Sequence, residues 1–168
     1  VIRTDPMTSH CFTVGELNGL ITPRVKEVVE ALEILGPSEA TTNIWGARWA
    51  KLVINCMNNA LSGIIGPAIS SLNEKQKDSA NLIRAVTGSE VAKVAQALGI
   101  VLEPIFGIPA QDFVKATTIA DIRALKETIA AVFKKRYLNP EQTRNLGAPD
   151  RPSLLQDVIK GRRTEVDY

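Results

Sequence analysis

A mostly apolar segment, residues 48–63, constrains the fold more than any other part of the sequence. It reads RWAKLVINCMNNALSG, and its apolar residues cover most sides of a cylinder when placed at about 100° per residue. A helix that is apolar on most sides is buried on most sides. With Asn43 as a cap and Gly66-Pro67 as a stop, the pattern predicts one long helix that begins after Asn43 and ends near Ile65.

Polar residues interrupt this helix at a regular spacing. Lys51, Asn55 and Asn59 follow one another every four residues and fall within about 80° of one another, so they form one row. Ser62 extends the row, and Asn58 lies to one side. A cation followed by amides suits a ligand whose carbonyl is about to become an oxyanion, with hydroxyl groups beside it. A solvated stripe is the alternative, and spacing alone favours that interpretation.

Composition narrows the class of protein. The 168 residues are 45% hydrophobic and 23% charged, which is typical of one globular domain with a substantial core. The net charge of +2 is too small to indicate a nucleic-acid or acidic-membrane partner. The basic runs Lys134–Arg136 and Lys160–Arg163 are short, as is common at solvated helix ends.

The cysteine and histidine content argues against a disulfide framework and against a metal site. Cys11 and Cys56 lie far apart in the sequence, which predicts free thiols in a reducing compartment. With His10 as the one histidine and no CxxC or HxxxH spacing, no metal site is expected. The sequence shows no bilayer-spanning apolar run and no leader, so a cytoplasmic location is expected.

The N-terminal part of the chain is prone to form strands. Residues 11–19 (CFTVGELNG) predict a strand end and a turn, and residues 38–42 predict a short extended piece. Between them, Thr22-Pro23 predicts a helix start, and Gly36-Pro37 predicts its end. One or two strands do not form a stable sheet, so these strands are expected to need partners from outside the sequence.

The rest of the sequence predicts further helices. Ser71–Glu74 has capping-box spacing and precedes a long helix that ends at Gly99. The residues expected to be buried in that helix are Leu82, Ile83, Val86, Val91, Val94, Ala95 and Leu98. An apolar connector, residues 100–108, leads to predicted helices over 109–116, 120–137 and 154–159, the last capped by Ser153. The predicted class is therefore mainly α, with strand fragments at the N-terminus.

Two distant motifs together resemble a known family. They are W-A-K-L-x-x-N-x-x-x-N (Trp49–Asn59) and S-L-L-Q-D-x-x-x-G-R-x-T-E-V-D (Ser153–Asp167). The pair is similar to the C-terminal domain of the ketopantoate reductase (2-dehydropantoate 2-reductase) family, and the similarity is weak across residues 100–150. The resemblance implies a multi-helix domain of the 6-phosphogluconate dehydrogenase-like type. It also implies that residues 1–21 are the tail of a Rossmann-type cofactor domain, and that 22–168 form a helical substrate domain cut before its last helices.

The resemblance also implies roles for five residues. Lys51 is expected to act as the general acid, while Asn55 and Asn59 bind the substrate. Ser153 is expected to bind the substrate carboxylate, and Glu165 to lie beside substrate and nicotinamide as a catalytic and cofactor-contacting residue. The implied activity is the NADPH-dependent reduction of 2-dehydropantoate to pantoate, a step of pantothenate biosynthesis. The residue types fit, because an ammonium group can stabilise the charge that hydride addition leaves on oxygen and can donate a proton to it.

Some features depart from the family pattern and leave alternatives open. The sequence holds no GxGxxG, so the chain by itself is expected to be inactive. Pro152 and Leu154 flank Ser153 where the family commonly has Ser-Met, which leaves another branched 2-oxo acid open as substrate. A hydroxyacid or opine-type dehydrogenase domain is one alternative. A non-catalytic helical dimerisation or interaction module is another, and a homodimer is left open for either kind of protein.

Overall fold

The computed structural model describes residues 10–66, 72–137 and 152–164. Within these ranges the chain forms two short strands and six helices, which confirms the mainly α class. The strands are β1 (Phe12–Val14) and β2 (Ser38–Ala40). The helices are α1 (Pro23–Glu33), α2 (Ile44–Ile65), α3 (Glu74–Ala97), α4 (Ala110–Lys115), α5 (Ile119–Tyr137) and α6 (Ser153–Ile159).

Residues 12–40 form a strand–helix–strand unit. β1 and β2 pair in parallel, with Phe12 opposite Ser38 and Val14 opposite Ala40. A parallel pair needs a long crossover, and α1 supplies it while packing against both strands. β1 and β2 are thus partners of each other, and the expectation that this pair needs further strands from outside the sequence stays a prediction. The division into a tail over residues 1–21 and a helical domain over 22–168 also stays a prediction.

Helix α3 lies at the centre of the helical part, where it packs against α2, α4 and α5. Its buried face consists mainly of small residues, namely Ala80, Ala85, Gly88, Ser89, Ala92 and Ala95. Burial of Ala95 was predicted correctly. The prediction was wrong for Leu82, Ile83, Val86, Val94 and Leu98, which are 38–62% exposed. A helix surrounded by three others needs small side chains where the backbones approach one another.

Gly88 shows how close this approach is. A Cβ atom at Gly88 would lie 2.9 Å from Met57 Sδ and 3.0 Å from two ring atoms of Phe113. Met57 and Phe113 are themselves 1% and 0% exposed, so neither side chain has free space to move into. The large side chains of α2 and α4 thus fill the space that the small residues of α3 leave.

The connector between α3 and α4 completes the core. The backbones of Ile105 and Ile108 exchange two hydrogen bonds of 2.9 Å, and Phe106 and Gly107 between them adopt positive φ angles of 54° and 77°. This tight turn directs Ile105 and Ile108 into the core, where they are 0% and 3% exposed. Phe106 packs edge-on against Phe133 of α5, with ring centroids 5.2 Å apart.

The helix starts agree only partly with the predicted caps. Asn43 caps α2 as predicted, since its side chain accepts a hydrogen bond of 3.1 Å from the Gly46 N–H. The capping box of α3 is formed by Asn73 and Gln76, so the box predicted from Ser71 is shifted by two residues. Both positions offer a polar cap with an acid or amide three residues later, and spacing could not choose between them.

At the other end of the chain, α6 starts one residue earlier than predicted. Ser153 is the first helical residue, and the preceding Pro152 makes no side-chain capping bond. Ser153 is therefore not the N-cap, and its exposed hydroxyl is not committed to a cap. In the part of the chain that the structure describes, no helix combines the length and apolar character needed to cross a membrane.

Candidate functional site

Helix α2 carries the polar row on the side away from the core. Its packed face holds Ala50, Val53, Met57 and Leu61, each at most 5% exposed. On another face, Lys51 is exposed and Asn55 and Asn59 are half-buried. The repeat of four residues keeps these three side chains on one side of a 22-residue helix.

Asn58 differs from its neighbours because its amide is used for packing. Its Nδ2 donates to the Ile54 carbonyl at 3.1 Å, and its Oδ1 accepts from Arg84 Nε at 3.1 Å. Arg84 belongs to α3, is 8% exposed, and places its guanidinium 4.7 Å from the ring centroid of Phe133 in α5. Asn58 thus ties α2 to the two helices beneath it, and it lies to one side of the row as predicted.

The row residues make no comparable contacts. Across residues 10–66, 72–137 and 152–164, no side chain bonds to the Lys51 ammonium or to the Asn55 and Asn59 amides. Polar groups on a well-packed helix that bind no neighbour are available to a ligand or to water. The structure therefore separates one asparagine that serves packing from two that are available for binding.

Ser62 does not extend the row, contrary to the sequence prediction. It is 0% exposed, and its hydroxyl donates to the Asn59 carbonyl at 2.9 Å. Helix α6 packs against α2, and its Leu154 approaches the next residue along, Gly63. The covered hydroxyl is satisfied within its own helix, as buried serines commonly are.

The packing of α6 brings the second motif to the first. Leu154 Cδ2 lies 3.0 Å from the position that a Cβ on Gly63 would take, and Leu155 is 1% exposed. Gly63 comes four residues after Asn59 and so continues the line of the row. Ser153 adjoins Leu154 and therefore lies near the Gly63 end of α2. Glu165 lies outside the described residues.

A larger side chain at Gly63 is expected to loosen α6. Gly63→Leu would force Leu154 away from α2, at a cost of about 1–3 kcal/mol in the free energy of unfolding. Hydrogen exchange should show faster exchange of the α6 amides than in the unchanged chain. The control is Ala60→Leu, which adds a side chain at an exposed position of the same helix. Equal α6 exchange in both variants would mean that the Gly63 contact does not hold α6.

The charge on α2 is entirely positive. The helix has Arg48 and Lys51 and no acidic residue, so its exposed face favours an anionic ligand. The sequence interpretation did not select Arg48, which is also exposed. The sequence did contain a signal for Arg48. It precedes Lys51 by three residues, and residues three apart on a helix share a face.

The described residues include two free cysteines and no cluster of metal-ligating side chains. Cys11 and Cys56 are both free, as predicted. Burial raises the pKa of the Cys56 thiol, so it stays protonated and is a poor nucleophile. Among the described residues, no three His, Cys, Asp or Glu side chains are grouped to hold a metal ion.

The comparison with protein families identifies the domain. The family model described as ketopantoate reductase PanE/ApbA C-terminal matches residues 43–168. The chain belongs to the ketopantoate reductase family. Comparison with curated proteins and with solved structures found no match.

The extent of the match agrees with the structure of this ketopantoate reductase domain. The match begins at Asn43, the cap of α2, and therefore excludes α1 and both strands. It spans the 100–150 region, where the resemblance in sequence is weak. It also includes the five residues proposed for the site: Lys51, Asn55, Asn59, Ser153 and Glu165.

Proposed function

We propose that the complete protein is an NADPH-dependent reductase of a 2-oxo acid and that this chain supplies its substrate domain. Ketopantoate, which would be reduced to pantoate, is the proposed substrate. One observation carries the proposal: Lys51, Asn55 and Asn59 share a face of α2 with no bonding partner among the described side chains, while Asn58 is engaged by Arg84. Amides needed only for packing would be expected to behave like Asn58.

Lys51 is the proposed general acid. Reduction of a ketone leaves negative charge on its oxygen, and an ammonium group stabilises that charge and then donates a proton to it. Lys51 suits this role because it is exposed, and no acidic residue on α2 competes for its charge. Glu165 is proposed as the carboxylate beside substrate and nicotinamide, a role that rests on the family resemblance.

The amides and the serine are proposed to orient the substrate. Asn55 and Asn59 lie about 6 and 12 Å along the helix axis from Lys51. Each amide offers both a donor and an acceptor, so the pair can bind a hydroxyl group of the substrate. Ser153 near the Gly63 end of α2 is proposed to donate its hydroxyl to the substrate carboxylate.

A bound nicotinamide dinucleotide would supply the hydride. The dinucleotide is negatively charged. The exposed face of α2 carries no acidic residue and therefore fits such a ligand. The sequence has no GxGxxG, so the phosphate-binding turn of the family is not among these residues. The use of NADPH and the cytoplasmic location are therefore proposed on family membership.

The direct test is the reaction itself. The complete protein should oxidise NADPH, followed by its absorbance, when ketopantoate is added. Other branched 2-oxo acids such as 2-oxoisovalerate should be compared at the same concentrations, because the residues around Ser153 differ from the family pattern. Absence of NADPH oxidation with every 2-oxo acid would contradict the proposal.

Alanine substitutions of Asn55 and of Asn58 should separate a role in substrate binding from a role in packing. Asn55→Ala should raise KM for the oxo acid by about tenfold, the effect of losing one good hydrogen bond, and should leave the free energy of unfolding nearly unchanged. Asn58→Ala removes the acceptor of Arg84 Nε and should lower the free energy of unfolding by about 1–3 kcal/mol. Denaturant unfolding and steady-state kinetics measure the two effects. Loss of stability in Asn55→Ala with normal KM would assign Asn55 to packing.

A further inference from the structure

We propose that Arg48 binds a phosphate of the nicotinamide dinucleotide, so that the helical domain holds part of the cofactor as well as the substrate. The inference rests on the proposed function, which places a carbonyl at Lys51. It adds a binding residue that lies outside both motifs of the family resemblance. Its basis is the position of Arg48, its contact with Trp45 and the direction in which the row runs.

Arg48 shares the exposed face of Lys51. Residues three apart on a helix have Cβ atoms about 5–6 Å apart, so the two cations are neighbours. Both side chains are exposed. Neither takes part in any ion pair between residues that the structure describes. Two adjacent cations with no acidic partner among the described residues repel each other, and an anionic ligand between or beside them would relieve that repulsion.

The guanidinium of Arg48 is already oriented by Trp45. The Arg48 Cζ atom lies 5.4 Å from the Trp45 ring centroid, and the indole Nε1 donates to the Leu17 carbonyl at 3.3 Å. Leu17 belongs to the turn after β1, so Trp45 links α2 to the strand–helix–strand unit. A guanidinium that stacks on an aromatic ring keeps its N–H edge available. Holding it in place beforehand lowers the entropy lost when a ligand binds.

The direction of the row indicates which ligand group reaches Arg48. Asn55, Asn59 and Ser153 lie on the C-terminal side of Lys51, which is where the proposed substrate extends. Arg48 lies on the N-terminal side, next to the strand–helix–strand unit. Hydride transfer requires the donor ring to contact the carbonyl carbon, so the cofactor must adjoin Lys51. The diphosphate is the strongly anionic part near that ring, and the arginine fork binds phosphate oxygens in pairs.

Inorganic pyrophosphate is a suitable probe because its binding requires no turnover. Titrated into the 168-residue chain labelled with ¹⁵N, it should shift the Arg48 Nε and Trp45 indole resonances in a saturable way. Arg48→Gln should weaken pyrophosphate binding at least tenfold, and Arg48→Lys should fall in between because it keeps the charge and loses the fork. Arg123→Gln, at an exposed position on α5, is the matched control and should bind normally.

Two results would overturn the assignment to phosphate. One is the absence of any saturable shift at Arg48. The other is an equal shift at the same concentrations of 2-oxoisovalerate, which would assign Arg48 to the substrate carboxylate. Failure of the proposed reaction is distinguishable from both, because it would appear as missing NADPH oxidation in the complete protein while pyrophosphate binding at Arg48 persisted.

Discussion

If Lys51 is the general acid of the proposed reductase, replacing it by alanine is expected to lower kcat of the complete protein by about 10²–10⁴-fold, the usual contribution of such a group. The reason is that the ketone oxygen would lose both its stabilising charge and its proton donor. NADPH affinity should stay nearly unchanged, because the ammonium is proposed to act on the substrate oxygen. Stability should also be unchanged, since Lys51 is exposed and bonds to no side chain in the described ranges.

The control for this prediction is Lys75→Ala. Lys75 is an exposed lysine in the first turn of α3, so the variant removes the same charge away from the row. Steady-state kinetics with ketopantoate, together with NADPH binding followed by fluorescence, would measure both variants. Near-normal turnover in Lys51→Ala, or an equal loss in Lys75→Ala, would remove Lys51 as the acid.

Replacing Gly46 by alanine is expected to lower the free energy of unfolding by about 2–4 kcal/mol. Helix propensity alone predicts the opposite sign, since alanine is favoured over glycine by about 1 kcal/mol inside a helix. The added Cβ would collide with the Val101 carbonyl oxygen and the Asn43 amide. These two groups are hydrogen-bonded to each other at 2.8 Å, so the substitution would disturb both the cap of α2 and its attachment to the connector.

Ala60→Gly provides the comparison for Gly46→Ala. It makes the reverse exchange at an exposed position of α2 and should cost only about 1 kcal/mol. Denaturant unfolding followed by circular dichroism would measure both variants. A neutral or stabilising Gly46→Ala would show that the start of α2 does not pack against residues 101–103.

Local patterns were sufficient to predict that the helices form and that Lys51, Asn55 and Asn59 share one face. The limits of α2 follow from a cap at one end, a glycine stop at the other and a long apolar pattern between them. The cap and the stop each act on the few residues next to them. The shared face of Lys51, Asn55 and Asn59 follows from helix geometry alone. In α5, Leu125 and Ile129 lie four residues apart on one face, and they are 4% and 0% exposed.

The same patterns failed on α3 for an identifiable reason. Periodicity shows where large apolar residues recur, and on α3 they recur at Ile83, Val86 and Val94, which remain exposed. The buried face of α3 is instead the one with Ala85, Gly88 and Ala92, because three helices pack closely against it. Which face is buried thus depended on the distance between backbones, which a single helix pattern does not contain.

Tertiary structure also decided which polar residues of α2 are available. Ser62 falls at nearly the same angle as Lys51 on an ideal helix, yet Ser62 is buried beside the contact of Gly63 with α6 and Lys51 is exposed. Asn58 and Asn59 are adjacent in sequence, and only Asn58 meets Arg84. By itself the sequence determined that these helices form, the limits of α2, and the shared face of Lys51, Asn55 and Asn59. Packing between helices decided which side chains are buried and which are hydrogen-bonded, because both depend on segments that are distant along the chain.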